Sequence, residues 1–303
     1  MRTRITSLAV LLLILGLLTG CGRPTTAGSS SLVVVATTTQ LADFARAVGG
    51  GGVAVTQLLK PNADPHDYEP TPSDVVAVGE ADLVLEHGLG LDDWLDGVID
   101  NAGGTARRVV TTTGIALRPA DDADRAGDPH VWLDPRNAIT MVRAIETAFA
   151  QADPGHVEVF RTNTQAYVSR ITQLDAELER RIAAVPRPAR KIVTDHDAFG
   201  YFAARYGITV VGTVVPSLST AAEPSAKELT ALAETMRREG VRVVYSETSL
   251  DPRLERALAE EAGARLGDPL SGDALGPTDE PTGTYLGMMR ANMDAIVTGI
   301  GQE

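Results

Sequence analysis

Three of the five histidines in this 303-residue chain stand beside aspartates in short, similar motifs. The motifs are DPHDYEP around His66, DPHVWLDP around His130 and DHDAFGYF around His196. In the first two, each proline restricts the preceding residue to extended or turn backbone, so the imidazole is carried on a stiff segment. Three neutral imidazoles are a ligand set for zinc or a similar transition metal, and the adjacent carboxylates can fix the imidazole tautomer.

Alternating strands and helices are predicted on both sides of one long helix. Short aliphatic runs, such as residues 32–35 and 191–194, show little polar alternation, which indicates strands buried on both faces. From residue 154 to residue 185, apolar residues recur at spacings of three and four, which predicts a helical rod about 45 Å long. We therefore expect an α/β protein with two lobes, each a parallel sheet flanked by helices, joined by one long backbone helix.

These elements divide the chain into five predicted parts. Residues 1–20 are expected to be a lipoprotein signal peptide, and residues 21–31, which are small and polar, a flexible tether. The N-terminal α/β lobe is predicted over residues 32–153 and the linking helix over residues 154–186. The C-terminal α/β lobe is predicted over residues 187–303.

The first residues have the pattern of a bacterial export signal. Arg2 and Arg4 precede an apolar run over residues 8–18, which is too short to span a bilayer as a stable helix. The run ends in LTGC, which resembles a lipobox, in which the cysteine is lipidated and becomes the N-terminus. Cys21 is the only cysteine, so it has no disulfide partner. We expect a lipid on Cys21 to anchor the protein at the extracytoplasmic face of the cell membrane, periplasmic or at the outer surface.

A fourth metal ligand is expected from the second half of the chain. The three histidines lie just after predicted strands or in the loops that follow them, where open α/β sheets bind their ligands, and two of them belong to the first half. Asp273 follows the last predicted strand in the equivalent way, and Asp268 is the alternative. Three imidazoles and one carboxylate complete a tetrahedral zinc site without an open position, which favours binding over catalysis.

The order of the motifs resembles that of the metal-binding lipoproteins, of the cluster A-I type, that serve zinc and manganese ABC importers. The resemblance rests on the lipobox, the three histidine motifs, the long helix and DALG at residues 273–276, and it extends from Val33 to the C-terminus. It implies two lobes with the metal in the cleft between them. It also implies a solute-binding receptor that delivers its metal to a membrane permease subunit.

The resemblance also implies roles for individual residues. His66, His130 and His196 match ligand positions of that family, and Asp273 matches its usual carboxylate. Glu247 matches a commonly acidic position near the cleft, where we expect it to support the ligands without binding the metal itself. Zinc is the expected metal and manganese the alternative.

Two features depart from the family pattern. Zinc-specific relatives often have a long histidine-rich loop between the first and second ligands, whereas residues 117–129 are short, acidic and free of histidine. His87 stands where relatives often have asparagine, and neither His87 nor His156 has the context of a ligand.

The remaining expectations concern function class and partners. The net charge of −13 and the absence of a basic patch argue against nucleic acid as a partner. We expect a monomer, and not an enzyme. Two alternatives from other classes are a zinc hydrolase, with Glu247 as general base, and a surface adhesin, because some relatives are described as adhesins.

The lipid anchor can be tested directly. Cys21→Ala removes the only thiol that could carry the lipid, so we expect the protein to leave the membrane fraction of expressing cells. Immunoblots of separated membrane and soluble fractions measure this, with Ser29→Ala in the same tether as the control. A Cys21→Ala protein that stays in the membrane fraction would show that something else anchors it.

Overall fold

The computed structural model describes residues 31–119 and 127–301. The predicted signal peptide, Cys21 and nearly all of the predicted tether lie outside the described residues, as do residues 120–126 of the acidic loop before His130. In the described ranges, none of the helices combines the length and the apolar character needed to cross a membrane.

The N-terminal lobe is built on a parallel sheet whose spatial order is β2-β1-β3-β4. Its strands are β1 (Leu32–Ala36), β2 (Val53–Gln57), β3 (Leu83–Glu86) and β4 (Arg107–Val110). The helices of this half are α1 (Thr39–Gly49), α2 (Pro72–Gly79), α3 (Leu95–Ala102) and α4 (Pro135–Ala152). Parallel pairing requires a crossover between neighbouring strands, and the helices provide it.

The long helix α5 (Val157–Ala183) has 27 residues, which gives a rod about 40 Å long. It begins three residues later than predicted, because Pro154–His156 form a separate 3-10 turn capped by Asp153. The predicted buried stripe along α5 is confirmed, since the buried residues recur every three or four positions: Phe160, Thr164, Tyr167, Ile171, Leu174, Leu178 and Ile182.

The C-terminal lobe repeats the topology of the first, with the spatial order β6-β5-β7-β8 and parallel pairing throughout. Its strands are β5 (Lys191–Thr194), β6 (Thr209–Thr213), β7 (Val243–Val244) and β8 (Arg265–Leu266). Its helices are α6 (Gly200–Tyr206), α7 (Ala226–Glu239), α8 (Arg253–Ala262) and α9 (Tyr285–Gly301). The predicted class, two parallel α/β lobes joined by one long helix, is confirmed.

The two lobes share one hydrophobic core. Helix α5 contacts α1 and α4 of the first half and α6 and α9 of the second. A single buried cluster includes Val34 of β1, Phe44 of α1, Ile192 of β5 and Tyr285 of α9. The rings of Phe44 and Tyr285 meet edge to face with centroids 5.0 Å apart. Separating the lobes would expose this apolar surface to water, which is unfavourable.

A continuous core and a single stiff helix predict a small motion between metal-free and metal-loaded protein. Wide domain closure requires flexible connecting segments that absorb large backbone changes, and α5 is not such a segment. We expect small-angle scattering profiles of the two forms to superimpose nearly completely. A clear change in the radius of gyration on metal loading would contradict the rigid connection.

Candidate metal centre

His66, His130, His196 and Asp273 converge in the cleft between the two sheets. One donor atom of each of these residues lies within 4.8 Å of the donor atoms of the other three. The centroids of the three imidazole rings are 5.3 to 5.7 Å apart. The structure therefore brings together the four residues that the sequence analysis singled out, two from each half of the chain.

The carboxylate of Asp273 occupies the centre of this cluster. Its Oδ2 lies 3.7 Å from Nε2 of His66 and 3.4 Å from Nε2 of His196, and its Oδ1 lies 3.4 Å from Nε2 of His130. Donors placed tetrahedrally around zinc, each about 2.0–2.1 Å from the ion, are about 3.3 Å from one another. The three distances from Asp273 to the imidazole nitrogens are therefore close to those expected around a tetrahedral ion.

The turns that carry the first two histidines are fixed by their neighbouring aspartates. The Pro65–Asp67 segment is a 3-10 turn in which Oδ1 of Asp64 accepts the backbone N–H of His66 at 2.8 Å. Asp128 accepts both the backbone N–H of His130, at 3.0 Å, and its ring Nδ1–H, at 2.8 Å. Because Nδ1 of His130 faces a carboxylate, its Nε2 lone pair is directed at the cluster.

The third histidine follows β5 directly. Oδ1 of Asp195 lies 3.3 Å from Nδ1 of His196, on the side of the ring opposite Asp273. The backbone carbonyl of Asp195 accepts the N–H of Val215 at 2.8 Å. Each of these two buried imidazoles thus has an aspartate behind it and Asp273 in front of it.

Both lobes hold the loop that carries Asp273. Glu247 accepts the N–H of Gly272 at 2.7 Å, and Trp132 donates its indole N–H to the carbonyl of Gly272 at 2.9 Å. Gln40 donates to the carbonyl of Asp273 at 2.9 Å. A side chain at Gly272 would meet Oε2 of Glu247 at 2.9 Å, so the loop passes here only because the residue is glycine. The sequence analysis did not identify the contacts of Gln40 and Trp132 with this loop.

The two acidic alternatives are now separated by position. Asp268 is exposed and lies outside the cluster, whereas Asp273 is fully buried within it. Glu247 is buried next to the cluster and contacts the Asp273 loop, which is the supporting position expected for it.

The other two histidines lie elsewhere. His87 is buried, its Nε2 is 2.7 Å from the carbonyl of Pro129, and its ring packs edge to face on Trp132. Burial lowers the pKa of His87 to about 4, so this ring is neutral and its N–H fixes the residue before His130. His156 caps the start of α5 and pairs with Asp153 at 2.6 Å.

The charges of the cluster depend on one another. Burial raises the pKa of Asp273, but the imidazoles of His196 and His66 outweigh it and hold this pKa well below its usual value. Burial lowers the pKa of His196, but Asp273 and Asp195 outweigh it and raise the pKa well above its usual value. The pKa of His130 is raised in the same way by Asp128 and Asp273.

The donor atoms of His130, His196 and Asp273 also lack ordinary hydrogen-bond partners within the described residues. Nε2 of His130 and of His196 and both carboxylate oxygens of Asp273 are buried and, within the described part of the chain, make no hydrogen bond of standard geometry. Buried polar atoms of this kind are normally satisfied, so a set of them pointing at one place is a binding site for a cation.

Two α/β lobes on a helical backbone, with a closed nitrogen-rich cluster in the cleft, define a metal-binding solute receptor. The sequence profile of the family described as zinc-uptake complex component A, periplasmic, matches residues 34–299, and the chain belongs to this family. Its members are the metal-binding receptors of ABC importers and not enzymes, which sets the hydrolase alternative aside.

Relatives with the same architecture are named for different metals. The iron-binding protein YfeA of Yersinia pestis is 32% identical, over 89% of this chain and 86% of its own length. The manganese-binding lipoprotein MntA of Bacillus subtilis is 33% identical, over 93% of this chain and 95% of its own. The structure of the periplasmic zinc-binding protein TroA of Treponema pallidum aligns with a TM-score of 0.84 at 31% identity, covering 90% of this chain and 100% of TroA.

The raised imidazole pKa values predict proton release on metal binding. A metal requires a neutral Nε2, and the raised pKa values of His196 and His130 increase the number of protons that binding displaces near neutral pH, while the lowered pKa of Asp273 keeps that carboxylate ionised. Affinity should fall as the pH is lowered through these raised pKa values. Zinc titration calorimetry in two buffers of different ionisation enthalpy measures the protons released.

We expect the two buffers to give different heats near neutral pH and converging heats at higher pH, where the imidazoles are already neutral. Equal heats in both buffers near neutral pH would contradict the raised pKa values.

Proposed function

We propose that this protein is an extracytoplasmic receptor that binds Zn²⁺ with high affinity and delivers it to the permease of an ABC importer. The observation that carries the proposal is the buried cluster itself, in which three imidazole nitrogens and one carboxylate, the ligand set of a four-coordinate zinc site, lie within 4.8 Å of one another. In this proposal His66, His130, His196 and Asp273 are the ligands, and Glu247 holds the loop of Asp273.

The donor set favours zinc over manganese. Imidazole is a softer donor that suits four-coordinate zinc, whereas manganese prefers oxygen ligands and higher coordination numbers. Manganese remains the alternative, because both oxygens of Asp273 face the cluster and could bind one ion together. The names of the relatives cover zinc, manganese and iron, so family membership alone does not select the metal.

Attachment to the membrane through a lipid on Cys21 is part of the same proposal. It is supported by the LTGC motif and by a relative that is named as a lipoprotein. A receptor tethered beside its permease is held at a high effective concentration, which favours delivery. We propose that the receptor acts as a monomer, since the ligand set is complete within one chain.

Metal selectivity tests the assignment of His196. In relatives dedicated to manganese, a carboxylate often takes the place of this histidine. We expect His196→Glu to lower the ratio of zinc affinity to manganese affinity, because a carboxylate is a harder donor that can bind through two oxygens. We expect His196→Ala to lower the affinity for each of the two metals by tenfold or more. Competition titrations with both metals at one fixed pH measure these constants.

The control is His156→Ala, which removes an imidazole outside the cluster and should leave both affinities unchanged. An unchanged affinity ratio in His196→Glu would show that His196 is not the discriminating ligand.

A further inference from the structure

A segment of the C-terminal lobe connects the turns that carry His66 and His196. This segment, residues 214–220, follows β6, and we refer to it as the strap. At its base it is bonded on both sides of His196, because the N–H of Val215 donates to Asp195 at 2.8 Å and the N–H of Asp197 donates to Ser217 at 3.0 Å. The base of the strap therefore moves with the His196 turn.

The far end of the strap crosses the cleft. Thr220 donates its hydroxyl to Oδ2 of Asp64 at 2.6 Å, and Asp64 belongs to the N-terminal lobe. The other oxygen of the same carboxylate, Oδ1, accepts the backbone N–H of His66 at 2.8 Å. One carboxylate thus joins the turn of His66 to the opposite lobe, and a hydrogen bond to a charged acceptor is among the stronger ones.

This connection lies on the solvent side of the cluster. His130, His196 and Asp273 are buried, and the imidazole of His66 is only 2% exposed, but the His66 turn as a whole is partly buried and is flanked by the exposed residues Asp67 and Glu69. Thr220 and Asp64 are themselves partly exposed. An ion in the cluster is therefore closest to solvent at the His66 turn, where the strap ends.

We propose that Thr220 is a positioning residue that slows metal release by tying the His66 turn to the C-terminal lobe. The inference rests on the ligand set proposed above. For the ion to leave, His66 must move away from the other three ligands, and the bond from Thr220 to Asp64 opposes that movement. Thr220 acts through Asp64 and does not touch the ion, so its effect does not depend on which metal is bound.

The test compares metal release from variants of the full-length, metal-loaded protein. Thr220→Val preserves the shape of the side chain and removes the hydroxyl, so we expect zinc to transfer to an excess of chelator about tenfold faster, the factor for one lost hydrogen bond to a partly exposed charged group. Thr220→Ser retains the hydroxyl and should restore nearly the original rate. Stopped-flow absorbance with a chromophoric chelator measures the release.

The matched control is Thr172→Val on α5, whose hydroxyl bonds only to the carbonyl of Val168 in the same helix. It should release zinc at the original rate. In an Asp64→Asn background, where the charged acceptor is gone, Thr220→Val should add little further acceleration. Asp64→Asn alone should also accelerate zinc release. This variant replaces Thr220→Val in the comparison if Thr220→Val does not fold.

Repeating the release experiment with manganese distinguishes an effect of the strap from an effect on the metal ligands. The acceleration in Thr220→Val should be the same for zinc and manganese, whereas a change of ligand alters their ratio. An unchanged release rate in a folded, metal-loaded Thr220→Val protein would overturn the role of the strap. Clearly different accelerations for zinc and manganese would also overturn it. Both results would leave the proposed function standing. An unmodified protein that takes up neither metal would overturn both.

Discussion

A carboxylate buried among three imidazoles is the interaction on which the rest of the structure depends. Asp273 is fully buried, and an isolated ion at such depth is strongly unfavourable unless charges or hydrogen bonds compensate it. The imidazoles of His66, His130 and His196 supply that compensation from three separate turns. The lobes must therefore be held in one arrangement, and the shared core along α5 provides it.

The same requirement explains why the Asp273 loop is bonded to both halves of the chain. Gln40 and Trp132 of the first half and Glu247 of the second each bond its backbone. A carboxylate whose loop is fixed in this way loses little conformational freedom when an ion arrives, so more of the interaction energy appears as affinity.

The sequence predicted the cluster of histidines and the two lobes better than it predicted the residues that hold the cluster in place. The histidines repeat a recognisable motif, and buried strands and the helical stripe follow regular spacings. Both Asp268 and Asp273 follow the last strand, and only their burial in the fold separates them. Gln40 and Thr220 act across the cleft on residues distant in the chain, and no local pattern signals such contacts.

Short elements were the least predictable. The apolar run at residues 241–245 predicts a five-residue strand, but only Val243–Val244 pair in the sheet. Helix α5 starts late because Asp153 caps a separate turn at Pro154, which a periodic pattern does not reveal. At the start of α5 the boundary is set by this local cap, which hydrophobic periodicity alone does not report.

The hydrophobic cluster shared by the two lobes affects the resistance of the folded protein to proteolysis. Each half has a smaller apolar cluster of its own, but one cluster spans both lobes along α5, and the chain is therefore expected to unfold as a cooperative unit. A ligand that binds only the folded state stabilises that whole unit. We therefore expect the metal-loaded receptor to resist proteolysis for longer than the empty one, since the loaded form opens less often.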